Sequence, residues 1–585
     1  MPVYLLQQAE HRTEYHEDIE KKKQELYAEI DSFQIKRKTQ INFLKRYLTE
    51  NGILRLEEMN CALRQDYETY LQKNITAKRV REYVRVFDLV KQYDIAKQIT
   101  TLCGIQKYKW AYKNEKMCLL YHPNLKIVAK FIGTKTTEIL IWDFEKKCSE
   151  ILKKQIFDSL NQIIVSYEGL KEEKEIIRNN LNALKRFYDF CYEQKIEDIS
   201  LLELHQIEQF LQTVAERSKK IKSYASAIIA KCRKLAFVQT EKINWKSTVW
   251  YLERFQFSDK RADKSKSHES FSFMEVRKER NREYFQAYMK YEFGITGEAV
   301  STIFQRGGKI KEFIIFLEKN DLLVTNCDAM LLKKYMISLE EKTIKSEQYN
   351  RRLYAIAHFY KFMEVRGYIS TVPFRIDCLL KKEIHEHNNR SVEQEVYFEI
   401  LRKLYLFPEQ LRCMFLHLWC LGLRVSEVCM LKGDAYYKRE NDYWMQVYQT
   451  KMKSYKKIPI PEVLYKIMKV YLEKHEISSN EYIFKNKKGG PYLSATFRAK
   501  MLKTCKENAI ANGKYIFRAH DYRHTVATIF YDNQISIQSI RDYLGHTYEE
   551  MTRQYIDYMP KKIADANDKF FEQEKSLVSR LKEGQ

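Results

Sequence analysis

Two guanidiniums, a lysine, two imidazoles and a phenol follow one another in one order between Leu421 and Tyr558. They come from four short pieces: Gly422-Leu423-Arg424-Val425-Ser426-Glu427, Thr450-Lys451-Met452-Lys453, His520-Asp521-Tyr522-Arg523-His524-Thr525, and Leu544-Gly545-His546 followed by Tyr555. Such a set suits attack of a phenol on a phosphodiester. The two non-bridging oxygens gain charge in the transition state, and Arg424 and Arg523 can each donate paired hydrogen bonds to them without losing their own charge. His546 can donate one more, and pre-placed donors of this sort are worth about 3 kcal/mol each. The phenol of Tyr555, with an ordinary pKa of about 10, is the candidate nucleophile. His520 is the candidate base and Lys451, on a turn, the candidate acid for the departing oxygen. Glu427, one helical turn beyond Arg424, can hold that arginine through a carboxylate pair.

The flanking sequence predicts the elements that carry these groups. Glu395–Leu406, Glu409–Cys420 and Ser426–Leu431 have helical apolar spacing, as do segments at about 461–475, 494–511, 520–532, 536–543 and 549–557. Tyr443–Tyr448 and Lys457–Ile460 read as two strands joined by the lysine-rich turn, in which Lys453, Lys456 and Lys457 compete with Lys451 for the acid role. The fold class expected is mainly α with a small antiparallel β-sheet.

The region resembles the catalytic domain of the tyrosine recombinases, the phage integrase family. Gly422 to Glu427 followed by Leu431 matches that family's first arginine box, and His520–Thr525 is similar to its His-x-Leu-Arg-His box, with Tyr522 at the usual leucine. Leu544-Gly545-His546 precedes Tyr555 by the family's nine positions, and Lys451 stands eight residues before Pro459, where the family's hairpin lysine stands, without its flanking glycines. The whole chain resembles the large tyrosine-recombinase transposases of bacterial transposons. The resemblance implies cleavage and rejoining of double-stranded DNA through a 3′-phosphotyrosyl bond, by a synaptic tetramer, with no ATP and no metal as cofactor. It leaves room for further transposon-encoded recombinases or accessory proteins as partners. The alternatives are a type IB-like topoisomerase and a catalytically silent DNA-binding subunit.

Upstream of this region a pattern recurs: an apolar helix, a short turn, a second helix, then a basic helix. Its copies centre on Phe43–Leu48, Leu184–Phe190 and Ile310–Leu317, with basic segments Lys78–Arg85, Lys219–Tyr224 and Lys345–Leu353. Three helical modules are therefore expected, the third resembling the family's core-binding domain, with Lys345, Arg351 and Arg352 placed against the DNA backbone. The division expected is 1–104 first module, 105–165 an insert of unassigned role, 166–258 second module and 259–279 linker. Then come 280–368 core-binding domain, 369–390 linker, 391–572 catalytic domain and 573–585 tail. Within the insert, Ala129–Ile132 and Glu138–Trp142 read as strands about a Gly133–Lys135 turn. The stretch Ala564–Leu581 is expected to form a helix docking on a neighbouring protomer or capping its own domain.

The full chain carries 102 Lys and Arg against 78 Asp and Glu, a formal charge of +24, which favours a polyanionic partner. Its 12 cysteines never form C-x-x-C, so neither a zinc site nor a disulfide framework is expected, and His385-Glu386-His387 reads as solvated. Met1–Gln8 lacks a signal-peptide pattern and no run of apolar residues is long enough to span a bilayer. No membrane association is expected, and the location expected is the bacterial cytoplasm, with the nucleoid.

Overall fold

The computed structural model describes residues 18–132, 137–166, 173–215, 219–258, 260–341, 343–383, 390–553 and 555. It is mainly helical with small antiparallel sheets, and it divides into two compact units, Met1–Trp250 and Tyr251–Gln585. No described helix is long and apolar enough to cross a membrane.

The recurring pattern is a recurring structure. Helix, 3-10 turn, helix, helix appears as Lys38–Glu50, Leu56–Glu58, Cys61–Asn74 and Ala77–Gln98 in the first module. It returns as Glu173–Glu193, Ile199–Leu201, Leu204–Ala215 and Lys219–Val238, and again as Val300–Lys319, Val324–Asn326, Ala329–Glu340 and Ser346–Val365. Each first helix ends on a left-handed residue, at Gly52, Lys195 and Asp321. The next residue then bonds back to the carbonyl five positions earlier: Ile53 N–H to Leu48 O, Ile196 N–H to Cys191 O, and Leu322 N–H to Leu317 O. This is the Schellman closure, which satisfies carbonyls that a helix end leaves open. Laid on those residues, the following elements start within one residue of register. Leu44, Phe187 and Phe313 fill the same buried position, as do Leu48, Cys191 and Leu317.

In the first unit the insert is part of the core. Trp142 and Phe144 are buried with the second module's Phe187, Tyr188 and Cys191. Toward the first module, the Tyr121 hydroxyl donates to Asp88 at 3.0 Å, on a carboxylate that Arg64 already clamps at 2.6 and 2.9 Å. The strand expected at Ala129–Ile132 is instead the end of a helix, Leu125–Phe131, capped by the Asn124 side chain accepting from Lys126 N–H. The helix wins because Ile127, Val128 and Phe131 all bury on one face. Ile141–Asp143 is a strand, and its partner is Lys116–Cys118, with Met117 opposite Trp142. The expected turn at 133–135 lies outside the described residues, as do 384–389 with the His-Glu-His stretch and the tail beyond Tyr555.

In the second unit the segment expected as a linker is fixed in place. Ser265 is fully buried, and the Ser494 N–H and hydroxyl donate to its carbonyl and hydroxyl at 2.9 and 3.0 Å. Arg261 donates to the carbonyls of Glu298, Phe293 and Glu292. The C-terminal helices fall close to their sequence-derived bounds, at Gln394–Arg402, Glu409–Leu421, Val425–Cys429, Glu462–Lys474, Ser494–Glu507, Asp521–Asp532 and Ile537–Leu544. The sheet holds three strands rather than two: Tyr436–Arg439, Asp442–Gln449 and Ser454–Pro459, antiparallel in that order, with Val447 opposite Lys456.

Candidate active site

Two helix ends meet to build the site. The apolar Glu409–Leu421 helix stops at Gly422, whose φ of 59° reverses the chain so that Arg424 caps the short Val425–Cys429 helix. The Ile537–Leu544 helix stops at Gly545, with φ 69°, and the His546 N–H closes the turn on Arg541 O at 3.0 Å. Both glycines are closely approached: a Cβ would stand 3.2 Å from Leu544 Cδ2 and Val526 Cβ at Gly422, and 2.2 Å from Gln449 Nε2 at Gly545, where the amide would have to shift.

Arg523 is buried where those ends approach. Its Nη1 donates to Gly422 O at 2.8 Å, and its Nη2 donates to Leu544 O at 2.6 Å and to His546 Nε2 at 2.8 Å. Burial, then Arg424, push its pKa down to about 10, so it stays charged at neutral pH. The second His546 nitrogen, Nδ1, meets the buried Thr552 hydroxyl at 3.0 Å. Because Arg523 can only donate, His546 accepts at Nε2 and carries its proton on Nδ1. Burial and then Arg523 and Arg424 push its pKa down to about 2. In this state both ring nitrogens of His546 face protein partners.

Arg424 and Glu427 form a reciprocal cap: the Arg424 N–H donates to Glu427 Oε2 at 2.9 Å and its Nη1 to Oε1 at 2.8 Å. Glu427 is buried, which opposes its charge, but Lys456, Arg523 and Arg424 outweigh this and hold its carboxyl below the usual range. Gln449 Nε2 adds a longer bond at 3.4 Å.

Tyr555 is half-buried, its N–H held on Thr552 O at 2.9 Å. Its ring stacks on His524, with centroids 4.4 Å apart and planes at 23°, and lies 4.6 Å from His546 and 5.1 Å from His520. The Arg523 guanidinium sits 5.6 Å from the same ring. His520 is open to solvent at its outer edge. The packing around its inner face, then His524, Arg523 and Arg424, push its pKa down to about 4, so it is neutral and able to accept a proton at pH 7.

The lysine comes out differently. Lys451 is exposed on the hairpin turn, and Lys453 of that turn reaches Gly297 O at 3.4 Å. It is Lys456 that enters the site, its Nζ bonded to Tyr543 O and Leu544 O at 3.2 and 3.4 Å and 4.0 Å from Glu427. Burial pushes its pKa down to about 8. Strand alternation explains this, since Lys456, Ile458 and Ile460 share the inward face. Beside Arg424 and His520 opens a cavity of about 330 Å³ lined also by Arg498 and Arg518, with no carboxylate among its lining residues. Sequence reasoning missed both arginines, which lie outside the recurring boxes. The lysine and arginines placed on the third module are spread over one helix: Lys345 and Arg351 are exposed, whereas Arg352 turns inward to Glu312 at 3.2 Å.

Residues 391–562 match the family described as the phage integrase family. That match lies in the C-terminal domain. In addition, the chain is 26% identical over 342 residues to transposase B from transposon Tn554 of Staphylococcus aureus, covering 56% of this chain and 53% of that protein. It is 23% identical over 280 residues to a tyrosine recombinase of Pseudothermotoga lettingae, covering 46% of this chain and 90% of that protein. Among solved structures, a lambda integrase dimer bound to a COC′ core site aligns at 17% identity over 47% of this chain and 76% of that chain, with a TM-score of 0.37. The chain spans about half the length of the first of these relatives. Tyr522, which departs from the family's leucine, is fully buried against Phe415 and pairs its hydroxyl with that of Tyr515 at 3.0 Å.

Proposed function

We propose that this chain is a site-specific DNA recombinase of a mobile element, acting as its transposase or integrase through a tyrosyl–DNA intermediate. The observation that carries the reading is the enclosure of Tyr555 by His520, His524, His546 and Arg523, with every ring centroid within 5.1 Å and the guanidinium at 5.6 Å. The Tyr555 phenol gives its proton to neutral His520 and its oxygen attacks the scissile phosphorus. The bond to the 5′-oxygen breaks as the 3′-phosphotyrosyl bond forms, and that 5′-oxygen takes a proton from a hairpin lysine. A 5′-hydroxyl of the partner strand reverses these steps and reseals the backbone.

Arg424 and Arg523 carry the charge on the non-bridging oxygens, and the cavity with Arg498 and Arg518 suits the neighbouring phosphates. The exposed Lys451 is assigned the proton donor, because a turn can close over DNA, whereas Lys456 is buried against Glu427. The phosphotyrosyl ester conserves the bond energy, so the sequence of steps needs no ATP, and the two arginines take the place of a metal. Double-stranded DNA is the proposed partner, held also by Lys345 and Arg351 of the third module. Arg352, drawn into Glu312, is assigned to holding that module together. Exchange of four strand ends calls for a synaptic tetramer, with other recombinases of the element as candidate partners.

The test is strand exchange between two duplexes carrying the element's ends, one labelled. Labelled recombinant product is expected with the wild type, alone or supplemented with the element's other proteins. Tight DNA binding with no exchanged product and no cleavage under either condition would contradict the reading.

A further inference from the structure

The first and third modules each hold an open groove along the same face of their last helix. In the third, a cavity of about 690 Å³ is lined by Arg306 and Lys309 of the first helix and by Arg351, Tyr354, His358 and Lys361 of the last. In the first, a cavity of about 710 Å³ is lined by Lys78, Glu82, Arg85 and Gln92 and also by the insert's Phe131 and Leu140, which have no counterpart in the third. With the left-handed residues Gly52 and Asp321 superposed, Arg37 falls on Arg306, and Glu82, Arg85, Leu89 and Gln92 fall on Arg351, Tyr354, His358 and Lys361. The second module keeps the helices but not the groove. Its counterparts of Arg306 and Lys309 are Asn180 and Ala183, both buried, and Ile228, Ile229 and Cys232 of its last helix are buried as well.

Charge sets the chemistry of the open groove. Lys78 and Arg85 line this groove and are exposed, Arg79 is exposed on the same helix outside the lining, and none of the three has an ion-pair partner among the described residues. Of the acids in the lining, Asp88 is consumed by Arg64, and Glu68 lies 3.5 Å from that same arginine, leaving Glu82 as the exposed carboxylate. Lys78 and Arg85, two helical turns apart on the groove's face with Arg79 beside them, suit successive phosphates of a backbone.

We infer that the first module carries a second surface for duplex DNA, formed by Lys78, Arg79 and Arg85, and that the second module is a structural spacer that does not touch DNA. This rests on the reading of the chain as a DNA recombinase, and it divides the three helical modules into two that bind DNA and one that does not. Coulombic contact of this kind adds affinity without reading sequence, and it weakens with salt by about 0.9 in log–log slope per phosphate neutralised.

The experiment compares full-length variants binding a fluorescent mixed-sequence DNA duplex across a salt series. Lys78→Gln/Arg79→Gln/Arg85→Gln is expected to lower the salt slope by about 2 to 3 and the affinity about tenfold or more at physiological salt. An equal charge loss on the second module, Lys195→Gln/Lys222→Gln/Lys242→Gln, is expected to leave both near wild type. Thermal midpoints matching the wild type exclude misfolding, since all these side chains are exposed. The inference is overturned if the first-module variant binds as wild type, or if the second-module variant loses as much. Lys309→Gln/Arg351→Gln/Lys361→Gln separates the two levels. Loss there without loss in the first-module variant sinks the inference and leaves the recombinase reading intact; a wild type that does not bind DNA sinks both.

Discussion

Arg523 Nη2 donates to His546 Nε2 at 2.8 Å, and this one contact fixes the proton of His546 on the far side of its ring, toward Thr552. The same guanidinium also holds Gly422 O and Leu544 O, so it ties together the two helix ends on which the site stands. Removing the imidazole acceptor leaves a buried donor partly unmet. His546→Leu is therefore expected to cost about 1–3 kcal/mol, read as a lower urea midpoint. His546→Gln, whose amide oxygen can still accept, should recover about half of it. Equal loss in both variants would show that the hydrogen bond to Arg523 is not what matters.

His520 is held neutral, with a pKa near 4 against an ordinary value of about 6.5. Its basic form thus persists through mildly acid pH. The cleavage rate is expected to stay level from pH 7 to about pH 5 and to fall only toward pH 4. The stability linkage has the same sense: the unfolded chain takes up this proton first, so stability fades as pH falls from about 6.5 through 4. An acid limb centred at pH 6.5 in single-turnover cleavage would remove His520 as the base.

The two hairpin lysines should separate cleanly. Lys456 is buried within 4.0 Å of Glu427, and breaking a buried pair from one side costs about 3–5 kcal/mol. Lys456→Ala is expected to lower the unfolding midpoint strongly. Its folded pKa of about 8 lies below the ordinary lysine value, so its charge is costly when folded, and that cost is relieved as pH rises from about 8 toward 10. Lys451→Ala should fold normally and lose about 10²–10⁴ in cleavage rate. A substrate whose bridging 5′-oxygen is replaced by sulfur, a leaving group needing no proton, should restore that rate. No rescue would take the acid role from Lys451.

Gly545 sits at φ 69° with the Gln449 amide where a Cβ would go. Gly545→Ala is expected to destabilise by about 1–3 kcal/mol and to displace the His546 turn. The fold-stability loss is read by denaturant titration; an unchanged midpoint would mean that Gln449 moves aside at no cost.

Much of the C-terminal domain was legible because its helices carry strong apolar periodicity, as in Glu409–Leu421. The boxes were legible because residue type and order constrain one another. The Tyr436–Arg439 strand was not, since only Tyr436 is fully buried and no alternation marks it. Ala129–Ile132 misled because a short apolar run has no period of its own; the signal began earlier, in Ile127 and Val128 with Phe131 and the Asn124 cap. The inward turn of Lys456 was readable from its two-residue spacing to Ile458, although four lysines in one hairpin hid it. What no local pattern carries is the pairing of Gly422 with Leu544, or of Ser265 with Ser494, because such contacts join segments far apart in the chain.

On the proposed reading, Tyr555 becomes covalently joined to DNA. The direct measurement uses a duplex of the element's end, nicked so that the released strand diffuses away, followed by a denaturing gel. With the wild type, a protein–DNA adduct is expected that forms without ATP and in the presence of a metal chelator, and Tyr555→Phe should form none while still binding the duplex. An adduct that persists in Tyr555→Phe, or its absence from the wild type even with the element's other proteins added, would contradict the account.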